Sequence, residues 1–239
     1  MKTLLVFDFD GVIADSEILA NTVLAELVTE LGVPMTLETS LVTFMGKRAE
    51  DVMAAIAAAT GRPTADTVGA ELTRRTLARF ASDLREIPGL REYLAAFPTL
   101  KRCIASSSSP DRLAACLDIL GLADAFGEHV YSASQVPRGK PHPDLFLHAA
   151  SRLGADPADA VVIDDSEGGV RAAVAAGMTP VGLLAASHIR DGHEARLRNA
   201  GARHIARNYD ELATITRALI GQLEGPRSGS ACPTSGSEL

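Results

Sequence analysis

The chain has no tryptophan, only three cysteines, and aromatic residues at 4% of its 239 positions. The cysteines, Cys103, Cys116 and Cys232, are scattered and form no CxxC pair, which argues against a disulfide framework and a structural zinc site. With so few aromatic rings, the core must be mainly aliphatic, and the 46% hydrophobic content can supply it. The length suffices for one large domain or two smaller ones.

Positive charge is also scarce: the chain has 23 Lys and Arg residues against 30 Asp and Glu residues, which gives a formal net charge of -7. Nucleic-acid binders are usually basic, so we expect no nucleic-acid partner. No apolar run approaches the ~18 residues that cross a membrane. The opening MKTLLVFDFD is interrupted by aspartates and lacks a cleavage site of small residues, unlike a secretory signal. We therefore expect a cytoplasmic protein with no membrane partner.

An apolar run at residues 3–7 predicts a short buried strand, and helical periodicity follows it. In the first helix, SEILANTVLAELVTELGVP, apolar residues recur at three- and four-residue spacing, and Asp15 or Ser16 can cap its start. Helical patterns continue to about residue 84, with no convincing strand between residues 14 and 87. This stretch predicts an all-helical unit that is inserted into a different fold.

Beyond residue 86, strand-like runs alternate with helical patterns; the strand candidates are KRCIASSSS, EHVYSAS, DAVVIDD and TPVGLL. Such alternation predicts a mostly parallel sheet with right-handed crossovers, so the fold class is α/β and doubly wound. We predict a core at residues 1–15 and 86–223 and a helical insert at 16–85. The Gly-, Ser- and Pro-rich stretch 224–239 predicts a disordered tail.

Polar residues follow three of the predicted strands where the strands end. Because ligands of an open α/β sheet bind at the carboxyl ends of its strands, these side chains are expected to meet there. Four carboxylates at one point would repel one another, and Mg²⁺, which prefers hard oxygen ligands, would relieve this. A lysine and a serine hydroxyl suit a phosphoryl group, so the set favours phosphoryl transfer. The residues are Asp8 and Asp10 after the first strand, Ser106 and Ser107 after CIA, Asp164 and Asp165 after VVI, and Lys140 in RGKPHPD.

Each of these signals also has a plain structural interpretation. Asp8 and Asp10 can cap a strand end, and Asp164 with Asp165 can favour the dipole of the next helix. The serine run can be an ordinary strand-to-helix turn, with Ser109 or Asp111 as the cap. It is the joint occurrence of the signals that favours a site.

The four motifs resemble those of the haloacid dehalogenase (HAD) superfamily, specifically its phosphatase branch, over residues 3–210. DFDGV matches the first motif, Ser106 the second, Lys140 in GKPHPD the third, and DDSEGGVRAAVAAGM the fourth, in the expected order. The helical insert is similar to the type-1 cap of the β-phosphoglucomutase-like subfamily. The resemblance therefore implies a Rossmann-like core with a helical cap at 16–85.

The resemblance also implies catalytic roles. Asp8 would be the nucleophile that forms an aspartyl-phosphate, and Asp10 would be the general acid and then the general base. Mg²⁺ would be held by the Asp8 side chain, the Asp10 backbone carbonyl and Asp165, with Asp164 as a further candidate. Dehalogenase members lack an acid two positions after the nucleophile, so Asp10 favours phosphate esters.

Substrate binding divides between the core and the cap. Ser106, the Ser107 amide and Lys140 would hold the phosphoryl group. In the cap stretch FMGKRAED, Gly46, Lys47 and Arg48 would contact the rest of an anionic substrate, although solvated charges at a helix start are an equally ready interpretation. Glu17, at the hinge, is expected to reach the site. The histidines show no ligand spacing, so we expect surface or structural roles, with His142 beside Lys140 as the one of interest.

The family implies a small phosphorylated metabolite as partner. The mutases of this subfamily carry a histidine near the position of Ala20, an arginine near Ala49, and Lys-Asn where this chain has Ser109 and Pro110. We therefore favour a hydrolase of a sugar or sugar-acid phosphate, acting as a monomer or small homo-oligomer. A β-phosphoglucomutase-like isomerase stays open, and a phospho-accepting signalling domain is a more remote alternative.

Overall fold

The computed structural model describes residues 2–45, 49–61 and 66–224. Within this part of the chain, six strands form one sheet in which all neighbours are parallel, in the order β3-β2-β1-β4-β5-β6. The α/β class predicted from the sequence is therefore confirmed. The strands are β1 (Leu4–Phe7), β2 (Lys101–Ser106), β3 (Val130–Ser132), β4 (Ala160–Asp164), β5 (Thr179–Leu183) and β6 (His204–Ala206).

Helices surround the sheet and also form the insert after β1. Four of them follow β1 consecutively, and among the described residues of that stretch there is no strand. These are α1 (Glu17–Glu30), α2 (Leu37–Phe44), α3 (Ala49–Thr60) and α4 (Asp66–Asp83). The others are α5 (Leu90–Ala96), α6 (Pro110–Leu120), α7 (Ala123–Phe126), α8 (Asp144–Arg152), α9 (Glu167–Ala175), α10 (His193–Ala200) and α11 (Tyr209–Glu224).

Strand β1 lies in the interior of the sheet, hydrogen-bonded to β2 on one side and β4 on the other. Its side chains alternate between two cores: Leu5 and Phe7 join one apolar cluster, and Leu4 and Val6 join the other. A strand covered on both faces must be apolar throughout, which explains the run LLVF. The strand order reverses at β1, so residues that follow it lie at the point of the sheet where ligands of such folds bind.

The helical insert has a small core of its own. Leu24 and Val28 of α1 pack with Phe44, Val52 and Ile56 of the next two helices. Helix α1 also packs against α4, so the insert is held together by side chains of all four helices. Among the described helices, none has the length and hydropathy of a membrane span.

The C-terminal elements α10, β6 and α11 were not predicted. Strand β6 has only three residues, HIA, and one of them is the half-buried His204, so it offers no apolar run to recognise. The predicted tail at 224–239 lies outside the described residues, except for Glu224, at which α11 ends.

Candidate active site

Three carboxylates meet at the carboxyl edge of the sheet. Asp8 directly follows β1, Asp164 is the last residue of β4, and Asp165 comes next. One oxygen of each lies within 4.8 Å of the others, and all three residues are buried. Strands β1 and β4 are adjacent and in register, with Phe7 opposite Ile163, so the residues that follow them are neighbours.

Lys140 lies against two of these carboxylates. Its Nζ is 3.0 Å from Asp8 Oδ1 and 2.7 Å from Asp164 Oδ2, and its side chain is only 6% exposed. Burial lowers the pKa of Lys140, but Asp164 and Asp8 outweigh burial, so its pKa lies above the ordinary value. The ammonium group therefore stays charged and neutralises part of the cluster.

Asp164 is held at both oxygens. While Oδ2 accepts from Lys140, Oδ1 accepts from the Ser166 amide at 2.9 Å and the Ser166 hydroxyl at 2.7 Å. A Cβ at Gly169 would lie 1.8 Å from Asp164 Oδ2, so only glycine lets helix α9 begin this close. Asp164 thus joins Lys140 to the start of α9, and both its oxygens are engaged.

Asp165 is held by two buried histidines from the region after β5. His188 Nε2 lies 3.1 Å from Asp165 Oδ2, and His193 Nε2 lies 2.6 Å from the Asp165 backbone oxygen. Arg196 donates to His193 Nδ1, so the proton of the neutral ring is on Nε2, which donates to that backbone oxygen. Gly11, at φ 79°, passes so close that a Cβ there would lie 1.9 Å from Asp165 Oδ2.

The pKa values of Asp8 and Asp165 are both well above the ordinary range. Burial is the largest cause for each. The charge of Asp164 raises both pKa values further, while Lys140 opposes the rise. Three carboxylates facing one ammonium group leave an excess of negative charge, which a divalent cation with hard oxygen ligands would balance.

Asp10 faces the same cavity but has different partners. Its Oδ1 accepts from the Ser16 hydroxyl and from Arg112 Nη2, the latter at 2.6 Å, and Oδ2 accepts from the Ser108 hydroxyl at 2.6 Å. Burial raises the pKa of Asp10, but Arg112 and the two hydroxyls outweigh burial, so its pKa is below the ordinary value. Ser16 occupies the N-cap of α1 without a capping hydrogen bond, and its hydroxyl donates to Asp10.

A cavity of about 560 Å³ lies over this edge of the sheet and extends to the helices of the insert. Ser106 and Ser107 line it, the first buried with its hydroxyl accepting from the Ser108 amide at 3.1 Å, the second exposed. Glu17 lines it as well and accepts from Asn21 Nδ2 at 3.0 Å. Burial, with the charges of Asp10 and Asp165, raises the pKa of Glu17 to about 7. The predicted cap residues Gly46, Lys47 and Arg48 lie outside the described residues.

Five residues that contact Asp10 or Asp165 were not predicted from the sequence. Ser108 and Arg112 follow β2, and His188 and His193 follow β5, so the strand-end rule could have found them. The sequence did not reveal that β5 lies beside β4, and the histidines therefore had no visible partner. His142, the histidine of interest, is exposed. The fifth residue, Ser16, was treated only as a possible cap.

A family model described as a haloacid dehalogenase-like hydrolase matches residues 2–177. The chain belongs to this family. The resemblance inferred from the four motifs is therefore confirmed.

Individual relatives agree with this assignment. Hexitol phosphatase B of Escherichia coli (strain K12) is 32% identical over 182 residues, which is 74% of this chain and 81% of that protein. The 6-phosphogluconate phosphatase of the same organism is 27% identical over 173 residues, 72% of this chain and 78% of that protein. A HAD family hydrolase from Deinococcus radiodurans R1, solved with bound phosphate and sodium, is 34% identical with a TM-score of 0.73, covering 93% of this chain and 96% of that one. The predicted enzyme class, a phosphoric monoester hydrolase, is confirmed.

Proposed function

We propose that this HAD-like hydrolase is a Mg²⁺-dependent phosphatase that cleaves a small phosphorylated metabolite through an aspartyl-phosphate on Asp8. The observation that carries the proposal is the buried cluster of Asp8, Asp164 and Asp165 around Lys140 at the switch point of the sheet. Such a cluster offers a nucleophile, a cation for the phosphoryl oxygens and ligands for a metal ion.

The donor set fits Mg²⁺. Asp8 and Asp165 are carboxylates whose pKa values are raised by burial and by neighbouring negative charge, which a divalent cation would relieve. We assign Asp8, Asp165 and the Asp10 backbone carbonyl as its ligands. Both oxygens of Asp164 accept hydrogen bonds, from Lys140 and from Ser166, so we propose that it lies near the ion but is not one of its ligands. When bound, Mg²⁺ supplies charge neutralisation for the phosphoryl oxygens.

The reaction then divides into two displacements at phosphorus. A carboxylate oxygen of Asp8 forms a bond to phosphorus as the bond to the alcohol oxygen breaks. The protonated form of Asp10, which its lowered pKa makes the minor form at neutral pH, gives its proton to that oxygen. In the second step Asp10 takes a proton from water, whose oxygen attacks the aspartyl-phosphate and frees Asp8 with inorganic phosphate. Lys140, the Ser106 hydroxyl and the Ser107 amide hold the phosphoryl oxygens throughout.

We assign helices α1–α4, residues 16–85, as a cap that closes on a core formed by residues 1–15 and 86–223. The cavity between the sheet edge and these helices has room for the leaving alcohol. Specificity for the leaving alcohol would then depend on Glu17, which lines the cavity, and on the stretch with Gly46, Lys47 and Arg48.

A sugar or sugar-acid phosphate is the proposed substrate. Support comes from the hexitol phosphatase and 6-phosphogluconate phosphatase among the relatives. The carboxyl group of Glu17, which lines the cavity, suits the hydroxyl groups of such alcohols. An isomerase would use the same Asp8 but return the phosphoryl group to a sugar.

A phosphate-release screen tests the proposal. The purified chain is assayed with Mg²⁺ and with EDTA over hexose, hexitol and sugar-acid phosphates, beside Asp8→Asn and the exposed control Asp118→Asn. We expect Mg²⁺-dependent release that Asp8→Asn lowers at least about 10³-fold and Asp118→Asn leaves unchanged. Release that survives Asp8→Asn contradicts the mechanism, and a phosphoryl group that moves within the sugar without free phosphate favours the isomerase.

A further inference from the structure

Arg112 joins the candidate acid and base to the rest of the molecule. It lies in the first turn of α6, which begins where β2 ends and is capped by Ser109. Its Nη2 donates to Asp10 Oδ1 at 2.6 Å, and its side chain is 27% exposed, at the wall of the cavity. None of the four HAD motifs includes this residue.

The guanidinium group is fixed from more than one direction. Its central carbon lies 5.2 Å from the centre of the Phe80 ring, and Phe80 is a fully buried residue of α4. Burial lowers the pKa of Arg112, but Asp10 and Glu17 outweigh burial, so the group stays charged. An arginine stacked on a ring and bound to a carboxylate has little freedom to rotate.

The other two partners of Asp10 are hydroxyl groups. Those of Ser16 and Ser108 rotate and can donate or accept, so they can follow the carboxylate through different orientations. Arg112 only donates, from a planar group that is itself held in place. The orientation of the Asp10 carboxylate therefore depends on Arg112 more than on either serine.

We propose that Arg112 is a positioning residue, which holds the Asp10 carboxylate in the orientation from which it exchanges protons with the leaving alcohol and with water. The inference rests on the proposed function, in which Asp10 is the general acid and base. Arg112 donates to Asp10, whereas Lys140 pairs with Asp8, so the formation of the phosphorus–oxygen bond on Asp8 does not itself require Arg112. Its loss should slow the proton transfers and leave phosphate binding nearly intact.

The test uses two probes with Mg²⁺: p-nitrophenyl phosphate, whose phenolate leaves without a proton, and β-glycerol phosphate, whose alkoxide needs one. Arg112→Met keeps the apolar stem of the side chain but removes the guanidinium group, which donates to Asp10 and stacks on Phe80. With p-nitrophenyl phosphate we expect rapid release of about one equivalent of phenolate per site, followed by turnover slowed at least about tenfold, since only hydrolysis of the aspartyl-phosphate then needs Asp10. With β-glycerol phosphate we expect kcat to fall similarly without a burst, and KM to change less than about threefold.

Two further variants separate positioning from folding. Arg112→Lys keeps a charged donor and should recover part of the lost kcat. Arg102→Met removes a half-buried arginine of β2 that donates to the backbone oxygens of α5 and its C-cap, and it should show neither a burst nor a loss of kcat. A role in folding alone would lower the number of active sites, and with it the apparent kcat on both probes to the same extent, without producing a burst; that result overturns the inference.

The failure of the inference is distinguishable from that of the proposed function. If the wild-type protein releases phosphate in an Asp8-dependent manner and Arg112→Met stays within about threefold of its kcat on both probes, the inference alone is wrong. If the wild-type protein releases phosphate from neither probe nor any phosphate in the screen, the proposed function is wrong and the inference falls with it.

Discussion

Lys140 and Asp164 form a buried ion pair, with 2.7 Å between Nζ and Oδ2, at the centre of the site. The same Nζ reaches Asp8 at 3.0 Å, so one cation serves the proposed nucleophile and the residue that anchors helix α9. Both the stability of the fold and the proposed chemistry of the site therefore depend on the ammonium group of Lys140.

Lys140→Met tests this sharing. The substitution leaves buried carboxylates without their cation, and we expect the free energy of unfolding to fall by about 3–5 kcal/mol at neutral pH. Phosphatase activity should be lost as well. Lys101→Met is the matched control, because Lys101 is exposed and its ammonium group donates to a backbone oxygen, that of Leu153. It should cost less than about 1 kcal/mol. Urea unfolding in EDTA measures both, and a loss below about 1 kcal/mol for Lys140→Met would contradict the shared role.

Asp165→Asn should change stability in opposite directions with and without metal. In EDTA the variant should be at least as stable as the wild type. Asparagine has no charge, so it avoids both the cost of burying a carboxylate and the repulsion from Asp164, which together raise the pKa of Asp165. With Mg²⁺ at 100 times its dissociation constant, the wild type should gain about 2.7 kcal/mol and the variant much less. Thermal and urea unfolding with Mg²⁺ and EDTA give these values, and Asp118→Asn should behave like the wild type. Equal Mg²⁺ stabilisation of both aspartate variants would remove Asp165 from the proposed ligands.

Gly169→Ala should destabilise the protein, although alanine is ordinarily the better helix residue. Its Cβ would lie within 2.2 Å of three atoms of the Asp164 carboxyl group, which Lys140 and Ser166 hold in place. We expect a loss of about 2 kcal/mol or more in urea unfolding. Gly221→Ala in α11, where a Cβ meets nothing within 4 Å, should instead raise stability by up to about 1 kcal/mol. The same sign for both variants would argue against the packing of α9 on Asp164.

Glu17→Gln should stabilise the protein only above about pH 4.5. Burial raises the pKa of Glu17 from 4.5 to about 7, so between these values the unfolded chain has released a proton that the folded protein keeps. Stability of the wild type therefore falls across this range relative to a chain without the carboxyl group. The gain from Glu17→Gln should be absent below about pH 4.5, grow up to about pH 7 and then stay constant. Urea unfolding in EDTA across this range measures the gain, with the exposed control Glu92→Gln; a gain that is independent of pH would contradict the assignment.

The sequence predicted what depends on local pattern. The apolar runs of β1 and β4 revealed buried strands, and the aspartates directly after them revealed the edge where ligands bind. The partners of Asp10 were not assigned to it, because only the turn after β1 and the start of α6 bring Ser16 and Arg112 to its carboxylate. The order of the strands could not be predicted either, because nothing in the sequence around His188 shows that β5 lies next to β4.

The interior position of β1 has a consequence for synthesis on the ribosome. Strand β1 is translated before the other five described strands, and its two neighbours begin only at Lys101 and Ala160. It therefore cannot be hydrogen-bonded on both edges until β4 has been made. Lys140 is translated before Asp164 and Asp165. The ammonium group of Lys140 is therefore already part of the nascent chain when Asp164 and Asp165 are added. The three carboxylates of the site are never all present in a chain that lacks this cation.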